Sequence, residues 1–150
     1  MTNFKFNEDF NTIKGEKITL KIIEKLNRSD EETPMYWYDI IENKTNKTVG
    51  KISIRIGQTY NSYYEGNIGY EVDEKYQGNK YSLAACKLVL KIAKHHQMDY
   101  VYITCNNDNY ASKNIIETLG GNFIEEIEVP KDYIYYFEGI KPHCIYKINL

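Results

Sequence analysis

Between Gly66 and Ile92 the hydrophobic period changes from two to about 3.6 across one short turn. In GNIGYEV, Ile68, Tyr70 and Val72 alternate with Gly69 and Glu71, the pattern of a strand with one buried face. From Tyr81 onward, Tyr81, Ala84, Ala85, Leu88, Val89 and Ile92 form an apolar helical stripe, with Lys80, Lys87, Lys91, Lys94 and His95 opposite. A strand that passes directly into an amphipathic helix is half of a crossover. The next alternating run, Asp99 to Cys105 (DYVYITC), is therefore expected to lie parallel to the first through a right-handed connection. This places the chain in the α/β (α+β) class.

The flanking segments extend that unit. Glu16 to Leu26, Met35 to Glu42 and Val49 to Ile56 read as three earlier strands, so that Gly66 to Val72 is the fourth and Asp99 to Cys105 the fifth. Asn27 to Pro34 and Gly57 to Tyr64 read as loops, and Asn43 to Thr48 as a hairpin turn. Their short links make the first four strands antiparallel. Asn109 to Leu119 is a shorter helix, capped by Asp108 or Asn109 and ended by Gly120-Gly121. Asn122 to Val129 and His143 to Asn149 complete a mixed, mostly antiparallel central sheet of about seven strands. A chain of 150 residues is expected to form a single domain, 1–150.

Charge and composition remove several functions. The net charge of -2, with no basic stripe, argues against a nucleic-acid partner. No apolar run approaches the roughly 18 residues of a membrane span, and none follows the first residues as a signal peptide would. Cys86, Cys105 and Cys144 are odd in number and widely spaced, as expected of reduced thiols in a cytoplasmic protein. With no CxxC or HxxxH spacing, no metal is expected. The 15 tyrosines are good strand residues and are expected mainly to pack.

The turn Tyr76 to Ser82 (YQGNKYS) raises a chemical question. The first N–H groups of a helix lack helical partners and carry the positive end of its dipole, so a helix start commonly takes Asp or Glu in its first turn. Here the first turn offers Lys and Ser. Gly78 allows close approach of the backbone, Asn79 favours a turn, and Lys80 adds a charge. Either this is only a turn, or it is a cradle for an anion from outside.

The same residues carry a resemblance. Gln77-Gly78-Asn79-Lys80-Tyr81-Ser82 is similar to the Q/R-x-x-G-x-G/A motif that opens the helix after the fourth strand in the GNAT N-acetyltransferase superfamily. Asn109-Tyr110-Ala111-Ser112, ahead of Leu119-Gly120, is similar to the family's N-x-x-S. The chain resembles small bacterial members over Lys51 to Val129. Two departures stand out: Lys80 occupies the motif's usual glycine, and Ile116 the place of the tyrosine that often protonates the leaving thiolate. Lys80 would keep the cradle if its dihedrals are those of an ordinary helix.

The resemblance implies acetyl-CoA as co-substrate and transfer of its acetyl group by direct attack of a primary amine, in a ternary complex. It implies that N–H groups from Gly78, Asn79, Lys80, Tyr81 and Ser82, with Gln77 at the rim, take the diphosphate. The fourth strand is expected to splay from the fifth and to offer backbone at Tyr70, Glu71 and Val72 to the pantetheine arm. Asn109 contacts that arm or caps its helix, and Ser112 completes the motif. Glu71 is the leading candidate base, acting through water, ahead of Asp73, Glu65 and Asp39. Tyr110 or Tyr81 is the candidate acid.

The acceptor side is expected to be open, because Asn27 to Pro34 leaves little room for the helices that wall the cleft in relatives. Met1–Lys14, the Gly57–Tyr64 loop or a second subunit would cover it, the last making a homodimer. Tyr133, Tyr135, Tyr136 and Phe137 form a candidate aromatic wall for a small-molecule or peptide amine. His95-His96 is expected to cap its helix, His143 is a weaker catalytic candidate, and Cys105 is expected to be buried rather than nucleophilic. A non-catalytic acyl-CoA-binding module on the same fold is the alternative.

Overall fold

A computed structural model describes residues 4–27 and 33–150. Its architecture is mixed α/β, with eight strands in two antiparallel sheets among the described residues. The first sheet has the order β1-β2-β3-β4-β5, formed by Thr12–Lys14, Ile18–Leu26, Met35–Glu42, Lys47–Arg55 and Ile68–Val72. The second has the order β6-β8-β7, formed by Tyr100–Asn106, His143–Asn149 and Asn122–Ile127. Helices α1 (Ser62–Glu65), α2 (Tyr81–His95) and α3 (Tyr110–Thr118) complete the fold.

The antiparallel expectation holds for the β2–β5 run. Tyr38 pairs with Ile22 on one side and Ile52 on the other, and Ile52 with Tyr70. Inward residues of this sheet, among them Ile18, Leu20, Tyr36, Ile40 and Ile54, are shut off from solvent and cluster with Ala85, Val89 and Ile92 of α2. Packing of that helical stripe on the sheet is what orients the turn ahead of α2. The buried side of α2 also includes Cys86 and Ala93, whereas Ala84 is only partly covered.

Three features differ from expectation. The expected splay between the fourth and fifth strands is a full separation into two sheets, because β5 and β6 share no ladder. The 57–64 segment is not wholly loop; Ser62–Tyr64 lie in α1, which an ion pair between Arg55 and Glu65 (2.7 Å) ties to β4. The described part of the N-terminal segment supplies β1. Its aromatic side chains pack on β3 and the end of α2, with Phe6 5.1 Å from Tyr36 and Phe10 5.1 Å from His95. His95 and His96 thus serve this cluster rather than simply capping. The Tyr36 hydroxyl accepts from the Asn7 N–H (2.9 Å) and is hydrogen-bonded to His96 Nε2 (2.8 Å). Burial, and then the neighbouring His95, hold His96 below the usual imidazole range. The expected short loop at 27–34 falls largely on residues 28–32, outside the described residues.

One buried side chain joins the two sheets where they meet. Asn67 is 0% exposed. Its N–H donates to the Tyr102 carbonyl (2.7 Å) and its Oδ1 accepts from the Tyr102 N–H (2.8 Å). Its Nδ2 donates to the carbonyls of Arg55 (3.1 Å) and Gly57 (3.0 Å). Beyond this point β5 and β6 diverge. Asn67→Asp keeps the shape but replaces the amide donor by a carboxylate oxygen, an acceptor, facing the two carbonyls. It is expected to lower stability by roughly 2–4 kcal/mol, read from urea unfolding, against near-neutral substitutions at exposed Glu71.

Candidate functional site

A cleft of about 410 Å³ lies between the end of β5, the start of α2 and the head of α3. One wall is the end of β5, with Tyr70, Glu71 and Val72. The turn and the start of α2 contribute Tyr76, Gln77, Gly78, Lys80, Tyr81 and Ser82. Asn109, Ala111, Ser112 and Ile115 form the α3 wall. Two stretches far apart in the chain, each picked out by its turn chemistry, therefore face one space.

The backbone reaches this shape through two left-handed residues. Gly78 has φ 88° and Lys80 has φ 63° and ψ 25°. The expectation of ordinary helical dihedrals at Lys80 is thus corrected: lysine here holds the conformation that glycine favours. Lys80 is the N-cap of α2 and makes no side-chain cap, and the first turn holds no acidic residue. The helix start accordingly presents N–H groups without an internal carboxylate. A Cβ placed on Gly78 would meet nothing within 4 Å, so its backbone faces open space.

The turn is braced from behind. Gln77 Nε2 donates to the Val72 carbonyl (3.0 Å), and Asn79 Nδ2 to the Tyr76 carbonyl (2.9 Å). Asn79 is absent from the cleft wall among the described residues, so its side chain serves the turn. Tyr81 is buried and its hydroxyl donates to Glu42 Oε2 (2.5 Å). Glu42 also accepts from Thr45 Oγ1 (2.6 Å); that bond, and then the one from Tyr81, lower its pKa below the usual carboxylate range. The pair fastens the first residue of α2 to the β3–β4 hairpin. On the strand side, Gly50 lets β5 come close: a Cβ there would lie 2.2 Å from the Glu71 carbonyl oxygen.

On the α3 wall, Asn109 Oδ1 accepts from the Ser112 N–H (3.1 Å), the expected cap. Tyr70 donates its hydroxyl to Ser112 Oγ (3.1 Å), a contact between the walls that no sequence motif announced. Burial pushes the Tyr70 phenol up to about 12. Of the two candidate acids, Tyr81 is engaged by Glu42, and Tyr110 is 71% exposed, outside the cleft wall, with Lys113 Nζ 4.8 Å from its ring centre. Ile116 is fully buried. Cys105 is buried and its thiol is pushed up to about 11, chiefly by burial, which leaves little thiolate for nucleophilic chemistry.

Glu71 is exposed and lies at a junction. It borders the main cleft and also a groove of about 220 Å³ on the opposite face of the sheet, with Trp37, Lys51 and Ser53. In that groove Lys51 pairs with Asp39 (2.8 Å), so Asp39 is engaged. A third hollow, of about 390 Å³, gathers Tyr133, Tyr135, Phe137, Lys141 and His143 near the end of β6. Three of the four expected wall aromatics meet there, and Tyr136 does not line it. His143 Nδ1 lies 2.9 Å from the Tyr64 carbonyl, which assigns it the proton and orients the ring. Among the described residues no cluster of metal ligands occurs, and no helix is long and apolar enough to cross a membrane.

A family model described as an acetyltransferase (GNAT) domain matches residues 7–122. No curated protein sequence matches the chain. Among solved structures, a protein assigned as a ribosomal-protein-serine acetyltransferase from Vibrio cholerae is similar over 93% of this chain and 97% of its own, with a TM-score of 0.68 and 15% identity. The microcin C7 self-immunity acetyltransferase MccE, solved with acetyl-CoA and AMP, is similar over 77% of this chain and 61% of its own (TM-score 0.61, 17% identity). RimL, a ribosomal L7/L12 alpha-N-protein acetyltransferase, is similar over 77% and 61% (TM-score 0.60, 19% identity). This chain spans about three-fifths of the length of the last two. At these identities the likeness establishes the fold.

The left-handed Lys80 generates a prediction. Lys80→Gly removes a Cβ from a conformation that disfavours it, at some entropic cost in the unfolded chain. A net gain of about 0.5–1 kcal/mol is expected in denaturant unfolding.

Proposed function

Because the chain belongs to the GNAT acetyltransferase family, we propose that it is an acetyl-CoA-dependent N-acetyltransferase, moving the acetyl group to a primary amine on a small molecule or peptide by direct attack. The observation that carries this reading is the left-handed start of α2, without a side-chain cap, open to a cleft that the end of β5 and the head of α3 also line. The residues fit the co-substrate chemically. Backbone N–H groups from Gly78 to Ser82 offer donors and a positive dipole end to a diphosphate, and the Lys80 ammonium adds charge. The free edge of β5 at Tyr70, Glu71 and Val72 offers backbone groups to an extended amide-bearing arm. Asn109 and Ser112 border the same arm.

The acceptor amine must arrive neutral. Glu71 borders both the cleft and the groove on the far face, and this position suits a base that relays a proton through water. An α-amine, with a pKa of about 7.7–8.0, asks less of such a base than a lysine at about 10.4. RimL acts on a protein α-amine, which supports a peptide N-terminus as one acceptor class. The reading treats 1–150 as one acetyltransferase-like domain in the cytoplasm, where the three free, buried cysteines stay reduced. It invokes no metal and no membrane. A homodimer remains part of the proposal only as cover for the open acceptor side.

Two experiments test it. Coenzyme A is expected to raise Tm, with dephospho-CoA and ATP weaker. Gly78→Val should abolish that shift. Gly120→Val imposes similar backbone strain (φ 94° against 88°) outside the cleft and should retain it. A wild-type protein that CoA does not stabilise at large excess refutes the cleft assignment. In thiol-release assays with an amine panel, Glu71→Gln is expected to lower kcat by about 10²-fold or more, with little change in KM for acetyl-CoA. Normal CoA binding without thiol release for any amine would favour a non-catalytic binding module.

A further inference from the structure

An amine acceptor needs a second space beside the acetyl-CoA cleft. The hollow of about 390 Å³ near the end of β6 is such a space. Its wall includes Asn106, Tyr133, Tyr135, Phe137, Lys141 and His143. Phe137 is 61% exposed and Tyr135 is 44% exposed, so two large rings face a concave space instead of the core. We propose that this hollow receives the acceptor, and that the acceptor is a primary amine joined by a short linker to a flat, uncharged aromatic ring carrying an O–H or N–H donor.

Contacts from α1 and the turn ahead of it hold the hollow in shape. The Tyr60 hydroxyl donates to Asp132 Oδ1 (2.8 Å), and Asn61 Oδ1 accepts from the Ile134 N–H (3.2 Å). The Tyr64 ring lies 5.9 Å from that of Tyr133, which meets Tyr135 edge-on at 5.7 Å. The segment that carries the rings is therefore fastened without help from a ligand. The hollow also adjoins the cleft. Asn106 lines the one and Asn109 the other, and the Asn109 N–H donates to the Asn106 carbonyl (3.0 Å). A turn closed by such a bond keeps its ends within about 7 Å. A ring in the hollow and an amine at the cleft are then divided by a single turn of chain, which a short linker passes.

The lining selects the chemistry of that ring. Among the described residues it holds no carboxylate, and its one lysine, Lys141, is paired with Asp108 (2.5 Å). A second cation, such as the far end of a polyamine, would meet a like charge with no counter-ion in the wall. Aromatic side chains instead favour edge-on or offset contact with another ring. One polar atom makes a defined demand. A carbonyl only accepts, so His143 Nδ1 donates to that of Tyr64 (2.9 Å). In the neutral ring Nε2 is then an acceptor, and among the described residues it has no protein partner. A phenol O–H or an indole N–H satisfies it, and a plain phenyl ring does not. At the other end of the acceptor the neutral amine forms the C–N bond. The C–S bond breaks with its electron pair on sulfur, and the amine proton passes through water toward Glu71.

Because this assignment rests on the acetyl-CoA reading, its test separates the two. Thiol release from acetyl-CoA is measured with tyramine, tryptamine, phenethylamine, hexylamine and putrescine, and with tripeptides that begin with tyrosine or alanine. Tyramine and tryptamine are expected to exceed hexylamine and putrescine in kcat/KM by about tenfold or more, with phenethylamine between. A tyrosine tripeptide that outruns tyramine assigns the ring to a peptide N-terminus, and the reverse assigns it to a free amine; both support the proposal. Phe137→Ala, at an exposed position, should raise KM for tyramine about tenfold, with a smaller loss for hexylamine and KM for acetyl-CoA within about twofold of wild type. His143→Phe keeps a flat ring without the acceptor and should erase the preference for tyramine over phenethylamine. Should that variant fold poorly, Phe137→Ala decides alone. Equal efficiency for aromatic and alkyl amines, no thiol release with any aromatic amine, or a Phe137→Ala loss shared equally by all acceptors overturns the proposal while CoA still raises Tm. A Phe137→Ala change in oligomeric state with KM unmoved assigns the rings to a second copy and overturns it too. Failure of CoA to stabilise wild type overturns the cleft assignment itself.

Discussion

The structure turns on a buried asparagine. Where a ladder between β5 and β6 would run, Asn67 instead makes two bonds to Tyr102 of β6, one from its backbone N–H and one to its Oδ1, while its Nδ2 holds the Arg55 and Gly57 carbonyls. It ties β4, β5 and β6 together at one end, and the strands are then free to part. A continuous ladder would close the sheet and leave no cleft. No attachment at all would leave the second sheet, β6-β8-β7, held to the first mainly through side-chain packing. A satisfied amide at the junction allows both attachment and opening, and burial makes it a strict requirement, since each of its polar atoms would be costly to strand.

The cleft then depends on how the chain leaves β5. Gln77 braces the end of the strand, Gly78 and Lys80 take left-handed backbone, and Tyr81 is fastened to Glu42. These contacts hold the N-terminus of α2 in place while keeping carboxylates off its exposed N–H groups. Glu42, the carboxylate bonded to the first residue of α2, belongs to β3 and accepts from the Tyr81 hydroxyl. Lys80 shows how this geometry survives a departure from the family pattern. The backbone keeps a glycine conformation, the lysine carries modest strain, and a positive charge is added at the mouth.

Much of this was legible beforehand for a physical reason. Periodicity reports which face of an element is buried, so β3 and β8 fall where their alternation ends and α2 follows its stripe. Turn chemistry is equally local, and the two motif stretches that flank the cleft were found by it. Side-chain direction is not local. Tyr110 looked like a candidate acid by its place beside Asn109, yet it faces outward, while Tyr70, considered only for its backbone, places its hydroxyl on Ser112. The N-terminal segment gave no strong period, being short and interrupted, and its packing on His95 and His96 follows from contacts distant in the chain.

By itself the sequence determined the class of fold, the order of most elements, the lack of an acid in the first turn of α2 and the family resemblance, because each rests on spacing within a few residues. Tertiary structure decided that the expected splay is a full break of the ladder, that Asn67 bridges it, that Lys80 is left-handed and that Tyr70 meets Ser112. Those outcomes depend on which distant groups satisfy buried donors and acceptors. That matching exists only once the chain is packed.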